Sequence, residues 1–311
     1  MSASTSPLPY TGNKSCIANT IFDVMPKHTV YIEPCMGSAE TFFRKARAEK
    51  EILNDYNGDL VNLFRIIQSN EKLAFLIGRL YLSVNSEQIF RMNKALLREV
   101  PNVLDDIWET SKYVENMTWE DVLNAAAFLE NQVYSFSSTG QTYGIARRDI
   151  ESRLPRLISA YGRLRDAIIL HRDYKDVITY AACPGAFIFL DPPYKTTEGM
   201  YQKANFDSSQ HAVLFDFMAD IDRKFDGEAK FLITYNNSPY IQGLAQEKGF
   251  NLRVQPRLHS MRQAKEAGAT FEELLIANYD LDKQEEENRR LVYQENSQMT
   301  LFDFKCDYME D

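Results

Sequence analysis

The sequence predicts an α/β fold: a mostly parallel sheet interrupted by an inserted helical domain. Three observations lead there. Short β-branched and aromatic runs alternate with stretches of helical periodicity. Two of those runs, Ala186-Phe-Ile-Phe-Leu190 and Phe231-Leu-Ile-Thr-Tyr235, are apolar on both alternating positions, as strands covered on two faces require. From about residue 70 to residue 135 the period is helical only. In such a fold, ligands gather at the carboxyl ends of the strands.

The elements follow in order. Thr29-Val-Tyr-Ile-Glu33 reads as a first strand, and Pro34 and Gly37 make its turn. Ser38 is placed to cap a helix through about Lys50. Glu51-Ile-Leu-Asn-Asp55 is a second strand, and Asn57 opens a helix with Leu60, Leu63, Phe64 and Ile67 at helical spacing. Leu73, Leu76, Ile77 and Leu80, then Leu96, Leu97 and Val100, then Trp119, Val122, Leu123, Ala126 and Phe128, predict an insert with its own small helical core. Leu154, Leu157, Tyr161 and Leu164 give one more helix. Strands follow at Ala167-Ile-Ile-Leu170, 186–190 and 231–235, with late edge strands near 250–254 and 273–277, expected antiparallel. The domain expectation is 1–60 with 141–280 as one unit, 61–140 as the helical insert, and 281–311 as an acidic, flexible tail.

Composition narrows the class. The 311 residues are 44% hydrophobic and 25% charged, which is globular and excludes a mainly disordered chain. No apolar run of membrane-spanning length occurs, and the first residues do not read as a signal peptide. Cys16, Cys35, Cys183 and Cys306 are far apart, so free thiols in a reducing, cytoplasmic compartment are expected. His28, His171, His211 and His259 are equally scattered, and no metal site is expected. Net charge is −9, which taken alone opposes a polyanionic partner. Residues 280–311 hold ten acids and four bases, so the first 279 residues carry only −3. Within 140–175 eight bases, among them Arg147, Arg148, Arg163 and Arg172, face four acids. That run is either a basic face or an ordinary solvated helix surface.

Four short elements carry chemistry. Asp191-Pro-Pro-Tyr194 directly follows the buried strand 186–190. Pro192 and Pro193 hold the backbone extended and remove N–H donors. The Asp191 carboxylate and Pro192 carbonyl can then converge on one small donor group, with the Tyr194 ring as a stacking face. A nucleobase amino group has two N–H donors beside a π-face and suits this loop; the plain alternative is a turn after a strand. Glu33-Pro-Cys-Met-Gly37 follows the first strand, and its glycine turn lets a ligand approach backbone N–H groups. Leu53-Asn-Asp-Tyr-Asn57 follows the second strand. Asp55 stands 18 positions after Gly37, close to the spacing at which an acid binds ribose hydroxyls; the alternative is a helix cap. Tyr10-Thr-Gly-Asn-Lys14 offers a turn and a cation that can reach a carboxylate, or is merely a loop.

Together and in this order, the four elements resemble the Dam-type (D12 class) DNA adenine-N6 methyltransferases over about residues 7–279. Cys35 departs from the family's usual Phe. The resemblance implies a Rossmann-like methyltransferase sheet with a helical target-recognition insert. It implies an S-adenosylmethionine-dependent transfer to N6 of an adenine flipped out of double-stranded DNA, giving S-adenosylhomocysteine without a metal, in a restriction-modification system or as a solitary regulator. Tyr10 and Lys14 would hold the methionine part of the cofactor. Glu33, Pro34 and Gly37 would form its turn, Asp55 would meet its ribose, and Asp173-Tyr174 its adenine. Asp191, Pro192, Pro193 and Tyr194 would be the catalytic loop. By position in the family, the insert would read DNA, with Arg91, Lys94, Arg98, Ser135 to Tyr143, Arg147 and Arg148 as contacts. Methylation of cytosine N4, of RNA or of a protein glutamine remains an alternative, as does a non-catalytic DNA- or clamp-binding module. Gln298-Met-Thr-Leu-Phe302 resembles the bacterial sliding-clamp peptide, with Gln298, Leu301 and Phe302 as contacts; otherwise these residues pack back on the domain. The expected setting is a bacterial nucleoid or a phage-encoded cytoplasmic protein, and a monomer.

Overall fold

The computed structural model describes residues 6–10, 12, 14–106, 108–144, 149–194, 209–258 and 270–292. A seven-stranded sheet runs through them in the order β3-β2-β1-β4-β5-β7-β6. Its strands are β1 (Val30–Glu33), β2 (Lys50–Asn54), β3 (Ile168–Leu170), β4 (Ala186–Leu190), β5 (Lys230–Asn236), β6 (Asn251–Leu258) and β7 (Thr270–Ala277). The first five positions in this order are parallel. β7 is antiparallel to β5, and β6 is antiparallel to β7 at the edge. The predicted α/β class, its parallel centre and its late antiparallel strands are all present.

The order has a functional consequence. From β1 the chain builds outward to β2 and β3 on one side, then to β4 and β5 on the other. The switch point therefore lies between β1 and β4, which pair with Ile32 opposite Ile188. A crevice opens at the carboxyl ends there. Glu33 and Asp191 are the residues at or just past those two ends.

Alternation along each strand supplies two cores. Tyr31, Leu53, Phe187, Phe189 and Leu232 face one side with α3 (Gly58–Gln68), α8 (Leu154–Leu164) and the insert. Ile32, Ile52, Ile188, Leu190, Phe231 and Ile233 face the other with α9 (Tyr174–Ala181), α10 (Gln210–Lys224) and α11 (Pro239–Glu247). Burial on both faces is why these strands read as unbroken apolar runs.

The insert comprises α4 (Asn70–Tyr81), α5 (Glu87–Glu99), α6 (Thr110–Asn116) and α7 (Trp119–Tyr134). It has no separate core. Leu73, Leu76, Phe90, Leu97, Val122 and Leu129 belong to the same cluster as Phe64 and Phe187. The reason lies in α3: besides Leu60, Leu63, Phe64 and Ile67, its Val61 and Ile66 are buried too. A helix buried nearly all round has two faces to cover. One meets the sheet and the other receives α7.

Two further expectations are corrected. The helix after Gly37 is only α2 (Glu40–Arg44), and it starts from Ala39 in a left-handed conformation rather than from a Ser38 cap. It stops because Lys45 turns extended and buries its ammonium against Glu51, at 2.5 Å. Within the stretch expected as a flexible tail, residues 281–292 form a helix, α12. Its acids are partly helix pairs, Glu285 with Arg289 and Glu286 with Arg290 at i,i+4. Leu281 is buried, and Asn288 Nδ2 donates to the carbonyls of Phe22, Asp23 and Met25. Those carbonyls lie at the end of α1 (Ala18–Asp23), where helical partners run out, so Asn288 docks α12 by capping α1.

Among the described residues no helix is long and apolar enough to cross a membrane. Cys16, Cys35 and Cys183 are free thiols.

Candidate functional site

Four strand ends build the site. After β1 the chain turns at Gly37, whose φ of +48° is a conformation glycine tolerates without strain. The Gly37 N–H donates to Asp55 Oδ2 at 2.9 Å, and the Asn57 N–H donates to Oδ1 at 2.9 Å. Asp55 therefore ties the β1 turn to the β2 loop. The cap of α3 is Asn57, whose Oδ1 accepts from the Asp59 N–H. Burial pushes the Asp55 carboxyl up to about 6, against the downward pull of its backbone donors.

Asn54 joins a third loop. Its Nδ2 donates to the carbonyls of Pro34 (2.8 Å) and Arg172 (2.9 Å), and its Oδ1 accepts from the Arg172 N–H (2.8 Å). One amide thus spaces the loops after β1 and β3. The insert reaches the same place: Asn102 accepts from the Gly58 N–H and donates to the Tyr56 carbonyl.

Asp191 stands at the end of β4, beside the switch point. Its Oδ2 receives Lys14 Nζ at 2.7 Å, and its Oδ1 receives the Thr234 hydroxyl at 2.8 Å. The Lys14 side chain is 5% exposed and that of Asp191 20%, so the pair is held with one edge open. Lys14 Nζ also donates to the Gly12 carbonyl and lies 4.9 Å from the Tyr194 ring centre. Behind Tyr194 lies Tyr235, with ring centres 5.7 Å apart. The Tyr235 hydroxyl is 2.8 Å from His211 Nδ1, deep in the core. Tyr10 lies over the β1 turn: a Cβ at Gly37 would sit 3.7 Å from its Cδ1.

The site is acidic. Cys35, where the resembled family carries Phe, has Asp55, Asp191, Asp173 and Glu33 around it. Burial first, then those carboxylates, push its thiol well above the ordinary value. Glu33 is almost fully buried, and Tyr31 donates its hydroxyl to Glu33 Oε2 at 2.8 Å. Burial pushes the Glu33 carboxyl up to about 8. A carboxyl raised from 4.5 favours the fold fully below 4.5, and that contribution is lost as pH rises through about 8. Glu33→Gln removes this titration at nearly constant shape. We predict that its Tm falls less than the wild type's between pH 5 and 8. Thermal melts across that range are the check, and parallel curves would refute a buried neutral Glu33.

Of the expected site residues, Tyr10, Lys14, Glu33, Gly37, Asp55, Asp191 and Tyr194 converge at these strand ends. Pro34 contributes its carbonyl to Asn54, and Pro192 is buried behind Asp191. Asp173 accepts from the Lys175 N–H and caps α9. Tyr174 is largely buried and lies edge-on to Phe217 at 6.0 Å. Arg91, Lys94 and Arg98 lie apart on α5 and share one face. Arg91 is exposed and paired with Glu87, and Lys94 donates to the Gln141 carbonyl at 2.5 Å. The loop above them carries an exposed Phe136 and left-handed Ser137 and Ser138. Arg147, Arg148, Gln298, Leu301 and Phe302 lie outside the described residues. The basic run is not all surface: Arg163 is buried on Glu51, and Arg172 lies over the Trp108 ring at 4.0 Å. Thr234, bonded to Asp191, and Asn54, bonded to the loops after β1 and β3, make contacts at the site that the sequence reading did not assign. A threonine within the otherwise apolar and aromatic strand 231–235 was the available signal for the first.

Comparison with known proteins gives a consistent result. Residues 10–261 match the D12 class N6 adenine-specific DNA methyltransferase family. The chain is 27% identical over 258 residues to the DNA N-6-adenine-methyltransferase of Escherichia phage P1, covering 79% of this chain but only 31% of that one. It is 22% identical to type II methyltransferase M1.LlaDCHI of Lactococcus lactis subsp. cremoris, over 87% of this chain and 94% of that protein. Against type II methyltransferase M.CviBI of Paramecium bursaria Chlorella virus NC1A identity is 23%, over 87% and 98%.

Proposed function

This chain belongs to the D12 class N6 adenine-specific DNA methyltransferases, and from that premise we propose that its acidic crevice moves a methyl group from S-adenosylmethionine to N6 of an adenine in double-stranded DNA. The observation that carries the reading is Asp191 at the switch point, held by Lys14 and Thr234 and leading into Pro192-Pro193-Tyr194. The cofactor's chemistry fits the crevice. Asp55, Asp173 and Asp191 around Cys35, against one Lys14, make a field suited to a ligand bearing a sulfonium and an ammonium. The Gly37 turn admits a ligand to the backbone, and Asp55 retains lone pairs for ribose hydroxyls. Tyr10, Lys14, Glu33, Pro34 and Gly37 are assigned to the methionine end, and Asp55, Asp173 and Tyr174 to the nucleoside end.

When bound, S-adenosylmethionine supplies a methyl group on positively charged sulfur. The chain's work is positioning and electrostatics. Asp191 and the Pro192 carbonyl accept the two N–H groups of the target amine and turn its lone pair toward the methyl. Asp191 then stabilises the positive charge that develops on nitrogen. Pro193 keeps the loop extended, and Tyr194 stacks on the extruded base, offsetting part of an unstacking cost of a few kcal/mol.

We assign DNA reading to 61–140, within a chain whose catalytic part is 1–60 with 141–280. Arg91, Lys94 and Arg98 share one face of α5 and, with Arg147 and Arg148, are assigned to DNA. The α5 bases meet the loop Ser135 to Tyr143 through Lys94. The setting is a bacterial or phage-infected cytoplasm, and the chain acts as a monomer.

The test is transfer of labelled methyl to unmethylated genomic DNA, followed by nucleoside mass spectrometry. N6-methyladenine at one short motif is the expected product. Label at cytosine N4, in RNA or in protein overturns the assignment, and cofactor binding without transfer points to a binding module. Separately, Gln298, Leu301 and Phe302 are proposed to engage a bacterial sliding clamp. Clamp affinity of the peptide 294–306 is expected, with loss on Phe302→Ala; a wild-type peptide that does not bind sinks the idea.

A further inference from the structure

The two oxygens of Asp191 are held by partners of unequal stiffness. Lys14 meets Oδ2 from the end of a flexible four-carbon stem, a point charge that sets no plane. Thr234 meets Oδ1 from β5, with its Oγ1 at 2.8 Å and its side chain fully buried. β5 is hydrogen-bonded to β4 on one side and β7 on the other. The carboxylate has no proton to give, so the threonine hydroxyl is the donor. Its other neighbour, the Leu190 carbonyl, is more distant at 3.4 Å.

A buried hydroxyl is costly unless it is bonded, and the surrounding strand, Phe231-Leu-Ile-Thr-Tyr235, is otherwise the pattern in which valine sits comfortably. The χ2 torsion of an aspartate is broad and does not by itself fix the carboxylate plane. The χ1 of threonine is stiff, so its hydroxyl direction follows from the strand. One hydrogen bond from the rigid centre of the sheet therefore sets the plane in which the remaining lone pairs of Asp191 lie.

We propose that Thr234 is a positioning residue for methyl transfer, orienting the Asp191 carboxylate toward the incoming amino group. This rests on the role given to Asp191 above. Thr234 touches neither cofactor nor base; it acts through Asp191.

The experiment compares Thr234→Val, Thr234→Ser and Thr234→Cys with Asp191→Asn. It measures single-turnover rate, KM for DNA, cofactor affinity by calorimetry and Tm. Valine keeps shape and removes the donor, so the turnover rate falls roughly ten- to hundredfold, with cofactor affinity and KM within about twofold of wild type. Serine restores the rate to within about threefold, whereas cysteine, of serine's shape but a weak donor, does not. If the valine protein fails to fold, the serine and cysteine pair decides alone. A wild-type rate in the valine or cysteine protein, with Asp191→Asn inactive, overturns the inference and leaves the reading of Asp191 standing. Wild-type turnover in Asp191→Asn overturns that reading itself.

Discussion

Asp191→Asn is expected to lower methyl transfer by roughly 10²- to 10³-fold, about 3–4 kcal/mol of lost transition-state stabilisation. Asparagine is the informative choice. It keeps volume and one acceptor oxygen, so the loop and its contact with Thr234 can persist. It loses the negative charge, and with it the ion pair to Lys14 and the stabilisation of a nitrogen becoming positive. Asp191→Ala is the blunter change, because besides the charge it removes every acceptor that faces Lys14 and Thr234 from this position. A stable asparagine protein with intact cofactor affinity and a lost rate is the expected result from calorimetry and single-turnover assays. A rate loss matched by a KM rise would mean that Asp191 binds substrate and transition state alike. An unchanged rate would remove it from the chemistry.

The sequence exposed what periodicity and turn chemistry control. The strand at 186–190 and its Asp-Pro-Pro-Tyr exit were legible because burial on two faces leaves an unbroken apolar run. Gly37 and Asp55 were legible because a tight turn and a strand-end acid have a fixed spacing, and the structure joins them by a hydrogen bond. Other features depend on tertiary partners that no local pattern reveals. The short α2 ends where Lys45 finds Glu51, and Lys45 is helix-compatible by propensity. Arg163 sits in a basic run that reads as surface, yet it turns inward to Glu51, more than a hundred residues away in sequence. Asn288 lies in an acid-rich stretch that reads as solvated, yet it closes α1. Thr234 looked like one more strand residue because its partner belongs to a different strand.

Glu51 carries the largest expected effect on stability. It sits in β2 with its side chain almost wholly buried, between the Lys45 ammonium and a two-pronged Arg163. Arg163 also donates to the Phe42 carbonyl at 2.9 Å and lies 3.6 Å over the Phe42 ring, so it locks α8 to α2. Burial works to raise the Glu51 carboxyl, but hydrogen bonds from Arg163 and Lys45 outweigh it and hold the carboxyl below its ordinary value. Glu51→Ala would leave two buried cations unpaired, at a cost of about 3–5 kcal/mol. For a chain of this size that is a Tm loss on the order of 10 °C. The pH dependence carries a definite sign. A carboxyl depressed in the fold contributes above its unfolded value, 4.5, and loses that contribution as pH falls through the folded value. The gap between wild type and Glu51→Ala should therefore be widest near neutrality and narrow below about pH 4.5. Removing all three charges together, as Lys45→Met, Glu51→Leu and Arg163→Met, should cost less than Glu51→Ala alone, because no charge is then stranded. Thermal melts of the single and triple variants at pH 7 and pH 4 decide it: a triple variant no more stable than the single would mean that the ion network itself, and not the penalty of a stranded charge, holds α8 against the sheet.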